Sequence, residues 1–94
     1  LAITIKLLGA LRHFSDKKEL SLAFQQGFKV KDAVAALSLQ APQLEHTFCD
    51  SQLNDAHSNS LILVNGIEIS VLAGYETVLR DGDELVFVPV VHGG

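Results

Sequence analysis

A chain of 94 residues that is 48% hydrophobic and 19% charged has the balance of one globular domain with a single modest core, which excludes a disordered chain. Its net charge of −4, from 7 Lys+Arg against 11 Asp+Glu, argues against gripping a phosphate backbone, so no direct nucleic-acid binding is expected. No apolar run approaches the ~20 residues of a membrane-spanning helix, no signal-peptide pattern precedes the first strand, and the single Cys49 excludes an intrachain disulfide. A soluble cytoplasmic protein with no membrane contact is the expectation.

Ile3, Ile5 and Leu7 alternate with Ala2, Thr4 and Lys6, the period of a half-buried strand. A turn-like Ser15-Asp16-Lys17-Lys18 leads to a second alternating run, with Leu20, Leu22 and Phe24 on one face, so the pair predicts a hairpin with a long connection. Gly27 closes that strand and the period changes. Val30, Ala33, Val34 and Leu37 fall at i, i+3, i+4 and i+7, one stripe of a helix over about 30–39. Asp32 lies in its first turn, where the helix dipole favours an anion. Pro42 either stops that helix or opens a short second one carrying Leu44 and Phe48.

Residues 49–60 are polar and without period, which reads as a surface loop. Leu61-Ile62-Leu63-Val64 resumes as a strand, Asn65-Gly66 is the dipeptide a type I′ hairpin turn prefers, and Ile67 and Ile69 carry the return strand. Asp81-Gly82-Asp83 marks another tight turn before a last strand over 84–90. That strand is apolar at nearly every position, which predicts a central strand covered on both sides. Pro89 lacks an N–H and so marks where the pairing ends. Two strand pairs around one helix predict an α+β fold, a mixed sheet curled about that helix.

The final strand runs into Gly93 and Gly94. Glycine has no Cβ and can follow a channel too narrow for other residues, so a Gly94 carboxylate at the end of this chain would sit on a thin stalk. The expected organisation is a single 1–94 domain with a functional tail over about 90–94. The acidic Asp81, Asp83 and Glu84 lack the ~12-residue loop of a calcium hand and read as a solvated turn. His13, His46, His57 and His92 show no metal-ligand spacing and one cysteine cannot complete a zinc site, so no metal is expected. Asp50 beside Cys49 disfavours a thiolate nucleophile. Val64, Ile67, Phe87 and Val90 could face a partner, although so small a domain needs most of them in its core. The lysines all lie in the first third and the second half is acidic, which suits either a partner with a basic face or an ordinary solvated surface.

Several of these pieces carry a resemblance. Leu63-Val64-Asn65-Gly66, then Leu79-Arg80-Asp81-Gly82-Asp83-Glu84-Leu85, then Phe87-Val88-Pro89-Val90 and Gly93-Gly94 stand in an order that resembles the MoaD/ThiS family of ubiquitin-like β-grasp sulfur carriers, including the related ubiquitin-related modifiers. The first strand through Leu11-Arg12 and the helix from Val30 to Leu37 fall in the matching order, and only 49–60 is uncovered. The resemblance implies that an ATP-dependent, ubiquitin-activating-type enzyme adenylates Gly94 and that sulfur then replaces the adenylate to give a thiocarboxylate. Gly93 would share the threading, and Val90, Val91, His92 and Phe87 would contact partners. The carrier itself would bind no cofactor, ATP being used by the activating enzyme. It would also be non-catalytic, since acid, base and nucleophile belong to its partners.

The implied end use is the small subunit of molybdopterin synthase, in molybdenum cofactor biosynthesis, with the large subunit as the acceptor. One departure matters. Such subunits carry a pair of prolines and a small residue before the glycines, whereas this chain has Pro89-Val90-Val91-His92, which looks more like the ubiquitin-related modifiers. The alternatives are therefore a modifier that works with a tRNA-thiolation enzyme or is conjugated to protein lysines, and a β-grasp interaction module with an idle tail.

Overall fold

The computed structural model describes residues 1–9, 19–40 and 60–89. Strands β1 (Ala2–Leu7) and β2 (Glu19–Ala23) are followed by helix α1 (Val30–Gln40), β3 (Ser60–Val64), β4 (Ile67–Glu68) and β5 (Glu84–Pro89). The sheet order is β2-β1-β5-β3-β4. β1 and β5 run parallel, with Leu7 opposite Phe87, and the other pairs are antiparallel. This is the mixed sheet around one helix that the periodicities predict.

Alternation becomes layering in a direct way. Ile3, Ile5 and Leu7 of β1, Leu85 and Phe87 of β5, and Ile62 and Val64 of β3 turn to one face. Val30, Ala33 and Leu37 of the helix close over them. Each large side chain so buried contributes about 1.5–3 kcal/mol, which makes this layer the main source of stability. Helix α1 starts where the pattern places it: Asp32 accepts the Lys29 N–H at 2.9 Å, satisfying a donor that the helix leaves free. Its position is fixed by Val30 N–H to the Thr77 carbonyl at 2.9 Å and Leu79 N–H to the Phe28 carbonyl at 2.7 Å.

Three expectations change. The return strand β4 stops at Glu68, and Ile69–Val71 is a 3₁₀ turn instead. The Glu68 carboxylate accepts both the N–H and the hydroxyl of Ser70, offering the backbone a local alternative to the ladder. Ile69 is buried all the same. Ser60 joins β3 and is buried, which moves the loop boundary by one residue. Finally, β5 is central but covered on one side: Leu85 and Phe87 are buried while Val86 and Val88 are half-buried. The second helix expected near Pro42, the 49–59 loop, the His residues and Cys49 lie outside the described residues. No helix among the described residues is long and apolar enough to cross a membrane.

Candidate functional site

β5 is the root of the tail, and the structure shows how that root is held. Its last residue, Pro89, stands opposite Ser60 of β3. On the other flank the Leu8 N–H donates to the Phe87 carbonyl at 3.0 Å, continuing the parallel pairing past the end of β1. Gly9, with φ of +58°, then passes so close that a Cβ there would meet Pro89 Cγ at 2.8 Å. Pro89, at the end of β5, is thus bracketed by β3 and by the exit of β1.

At its start β5 is clasped by two turns. Asn65 and Gly66 carry φ of 49° and 86°, as a type I′ turn requires. The Asn65 amide donates to Asp83 Oδ1 at 2.9 Å, and its Oδ1 accepts the Glu84 N–H at 2.9 Å. Asp83 Oδ2 accepts the Arg80 N–H at 2.8 Å, and Asp81 Oδ1 accepts the Ala2 N–H at 2.8 Å. The acidic turn is therefore a set of acceptors for backbone N–H groups and for the Asn65 side chain. Among the described residues no three His, Cys, Asp or Glu side chains gather to hold a metal.

The sequence-expected contact residues separate. Phe87 has no exposed surface and is core, so a partner cannot touch its side chain in this fold; the partner-contact expectation for it is corrected to a structural one. Val64 is likewise buried, whereas Ile67 is 48% exposed at the β4 edge. Val90, Val91, His92, Gly93 and Gly94 lie outside the described residues. The apolar surface beside the tail root is formed by other residues: Leu61 stands opposite Val88 and Leu63 opposite Val86 on the outer sheet face. Leu61 is 44% exposed. The signal that finds them is parity, since every second residue of β3 and β5 must face away from α1. Lys6 borders this face through a 3.0 Å ion pair with Glu84, and that hydrogen bond raises the lysine pKa above its ordinary value.

The chain resembles known proteins in both sequence and fold. No curated protein matches the chain. Among solved structures it is similar to the small archaeal modifier protein 1 (SAMP1) from Methanosarcina acetivorans, at 32% identity over 99% of this chain and 96% of that one, with a TM-score of 0.81. It is also similar to Urm1 from Trypanosoma brucei, at 25% identity over 99% and 95% of the two chains, with a TM-score of 0.77. The BexX/CysO complex of Amycolatopsis orientalis contains a chain of the same fold, at 21% identity over 99% of this chain and 100% of that one, with a TM-score of 0.78. The ThiS family model matches residues 5–94. With its five-stranded mixed sheet on one helix, the chain belongs to the ThiS family of ubiquitin-fold sulfur carriers and modifiers.

Proposed function

We propose that this protein is a sulfur carrier whose Gly94 carboxylate is activated and thiocarboxylated. The observation that carries the proposal is the family match running through residue 94, on a chain whose central strand feeds directly into Val90-Val91-His92-Gly93-Gly94. A free α-carboxyl titrates near ~3.5 and is an anion at neutral pH, a very poor electrophile. One of its oxygens attacks the α-phosphorus of ATP, expelling pyrophosphate and giving an acyl adenylate. A hydrosulfide equivalent adds to that carbonyl and AMP leaves with its electron pair, giving the thiocarboxylate. The adenylating enzyme supplies the catalytic groups, and the carrier supplies a tail slim enough to reach them in a cytoplasmic setting.

Two destinations follow from the same chemistry. The first is the large subunit of molybdopterin synthase, supported by the spacing of the Leu79-to-Leu85 and Phe87-to-Val90 segments. The second is a ubiquitin-related role, in tRNA thiolation or conjugation to protein lysines. It is favoured by the 32% identity to SAMP1 and by His92 before the glycines.

Intact-mass spectrometry after incubation with the host's adenylating enzyme, ATP and sulfide tests the carrier step. A gain equal to one oxygen exchanged for sulfur, lost on deleting Gly94, is expected. An unchanged mass with an enzyme active on another carrier refutes it and leaves an interaction module with an idle tail. Branched peptides joining Gly94 to lysine, recovered from cells, would select the modifier destination.

A further inference from the structure

The turn that joins β3 to β4 has a chemical property besides its shape. In an unrestrained chain the backbone nitrogen after an asparagine can attack the side-chain Cγ, and glycine hinders that attack least because it has no Cβ. Asn65 and Gly66 are both exposed, and nothing lies within 4 Å of the point where a Cβ at Gly66 would stand. The surroundings therefore give no steric shield. What the fold supplies is a clasp on the amide itself. Asn65 Nδ2 donates to Asp83 Oδ1 and Asn65 Oδ1 accepts the Glu84 N–H, each at 2.9 Å, while the Asn65 N–H donates to the Glu84 carbonyl. Closing a ring onto the Gly66 nitrogen requires the carboxamide to leave both side-chain partners and turn toward its own following peptide.

We propose that Asn65 is a deamidation site that the folded clasp keeps closed and whose product the clasp rejects. The Gly66 nitrogen gives its proton to water and bonds to Cγ, the Cγ–Nδ2 bond breaks, and Nδ2 leaves as ammonia from a succinimide ring. Water then adds to either ring carbonyl and breaks its bond to nitrogen, giving aspartate or isoaspartate. The net change is hydrolysis of one amide, with nothing oxidised or reduced. Each product sets a carboxylate where a donor faced Asp83. Asp83 is not free to turn away: its N–H donates to the Arg80 carbonyl at 3.1 Å and its Oδ2 accepts the Arg80 N–H at 2.8 Å, which leaves Oδ1 aimed at residue 65. Among the described residues no lysine or arginine pairs with Asp83 to offset a second negative charge. The isoaspartate branch also adds a carbon to the backbone of the turn between Val64 and Ile67. Either product loosens the tie to the start of β5, and refolding cannot reverse it. The reaction thus accumulates with time spent open, whatever the tail carries.

Peptide-mapping mass spectrometry on the full chain, incubated at neutral pH in buffer and in unfolding urea, tests the site. A mass gain at Asn65 equal to NH exchanged for O is expected in urea. In the folded protein it should be slower by ~10-fold or more, the factor that ~1.4 kcal/mol of opening supplies. No gain at Asn65 in urea, or equal rates in the two conditions, overturns the proposal. Folded Asp83→Ala, which frees Nδ2, should react several-fold faster than the parent, and an unchanged rate overturns the clasp. Should that variant not fold, the ratio of folded to urea rates carries the protection and a charge exchange carries the rest. Asn65→Asp reproduces one product while tolerating the positive φ. It is expected to lower the ratio of folded to unfolded protein by ~10-fold, read from urea midpoints. Adding Asp83→Asn reverses donor and acceptor and should restore most of that loss. An Asn65→Asp as stable as the parent, or one that Asp83→Asn does not rescue, overturns the rejection of the product.

Discussion

Asn65 and Glu84 hold each other twice: the Asn65 N–H donates to the Glu84 carbonyl at 2.9 Å, and the Asn65 side chain accepts the Glu84 N–H at 2.9 Å. This tie joins the β3–β4 turn to the first residue of β5, so one amide side chain sets where the central strand begins. The same residue occupies the left-handed region, with φ of 49°. Its backbone and side-chain demands can be separated by mutation. Asn65→Ala loses both the φ preference and the side-chain bonds, for an expected about 2–3 kcal/mol. Asn65→Gly keeps the conformation and loses only the bonds, for about 1–2 kcal/mol. Urea-unfolding midpoints of the two variants should differ in that order.

Phe87 distinguishes packing from contact. Truncating a fully buried phenylalanine to alanine costs about 3–5 kcal/mol, against the about 5–15 kcal/mol that holds a typical domain together. Phe87→Ala should therefore forfeit a large share of the domain's stability, read as a strongly lowered urea midpoint. Phe87→Leu should fold with reduced stability and bind the adenylating enzyme with an unchanged Kd. A weakened Kd in a folded Phe87→Leu would restore the side chain to the partner surface.

The Glu76 carboxylate receives Lys31 at 2.9 Å and Lys29 at 3.0 Å, joining the Gly74–Glu76 turn to the start of α1. The hydrogen bond from Lys31, then that from Lys29, holds its pKa below the ordinary glutamate value. A depressed folded pKa means that the stabilisation is complete above the unfolded value, near ~4.3, and is lost as pH falls through the lower folded value. The Lys31 pKa is raised, chiefly by the same hydrogen bond. Its share is complete below the ordinary lysine pKa and lost as pH rises through the higher folded one. Between the two limits both are present. Glu76→Gln should flatten the acid limb of a Tm-against-pH curve, by a small amount because the groups are exposed and salt screens them.

Asp32 caps α1 by accepting the Lys29 N–H. Asp32→Ala should destabilise the domain by about 1 kcal/mol. Asp32→Asn keeps an acceptor and gives up the charge, for an expected loss of about 0.3–1 kcal/mol. Thermal unfolding at low and moderate salt checks this: only the charge-dependent difference between aspartate and asparagine should shrink as salt rises.

The legible parts of the fold were those where one strand or helix declares its own period. Ile3, Ile5 and Leu7 could only be a strand face, Val30, Ala33 and Leu37 only a helix stripe, and Asn65-Gly66 only a tight turn. The apolar run of β5 gave its central place but not its covered side, because a run without alternation is the same from both faces. β4 was shortened by Glu68 capping Ser70, a local competition that hydrophobic pattern does not register. Gly9 was silent for a different reason. Its neighbours in sequence ask nothing of it, and the need arises from Pro89 at the far end of the described chain. The tail residues Val90 to Gly94 were legible as a motif, while their geometry lies outside the described residues.

The parallel pairing of β1 with β5 also has a consequence for how the chain is made. The strand that fills the middle of the sheet follows every other described strand in the chain, so a chain that stops before it cannot close this core. Until residue 89 has emerged, β1 and β3 have no common neighbour and Leu37 has no completed floor beneath it. Pairing between elements so distant in sequence forms late because the whole intervening chain must first be ordered. Folding therefore acts as a check on translation: a domain that has closed has been read to the threshold of its tail.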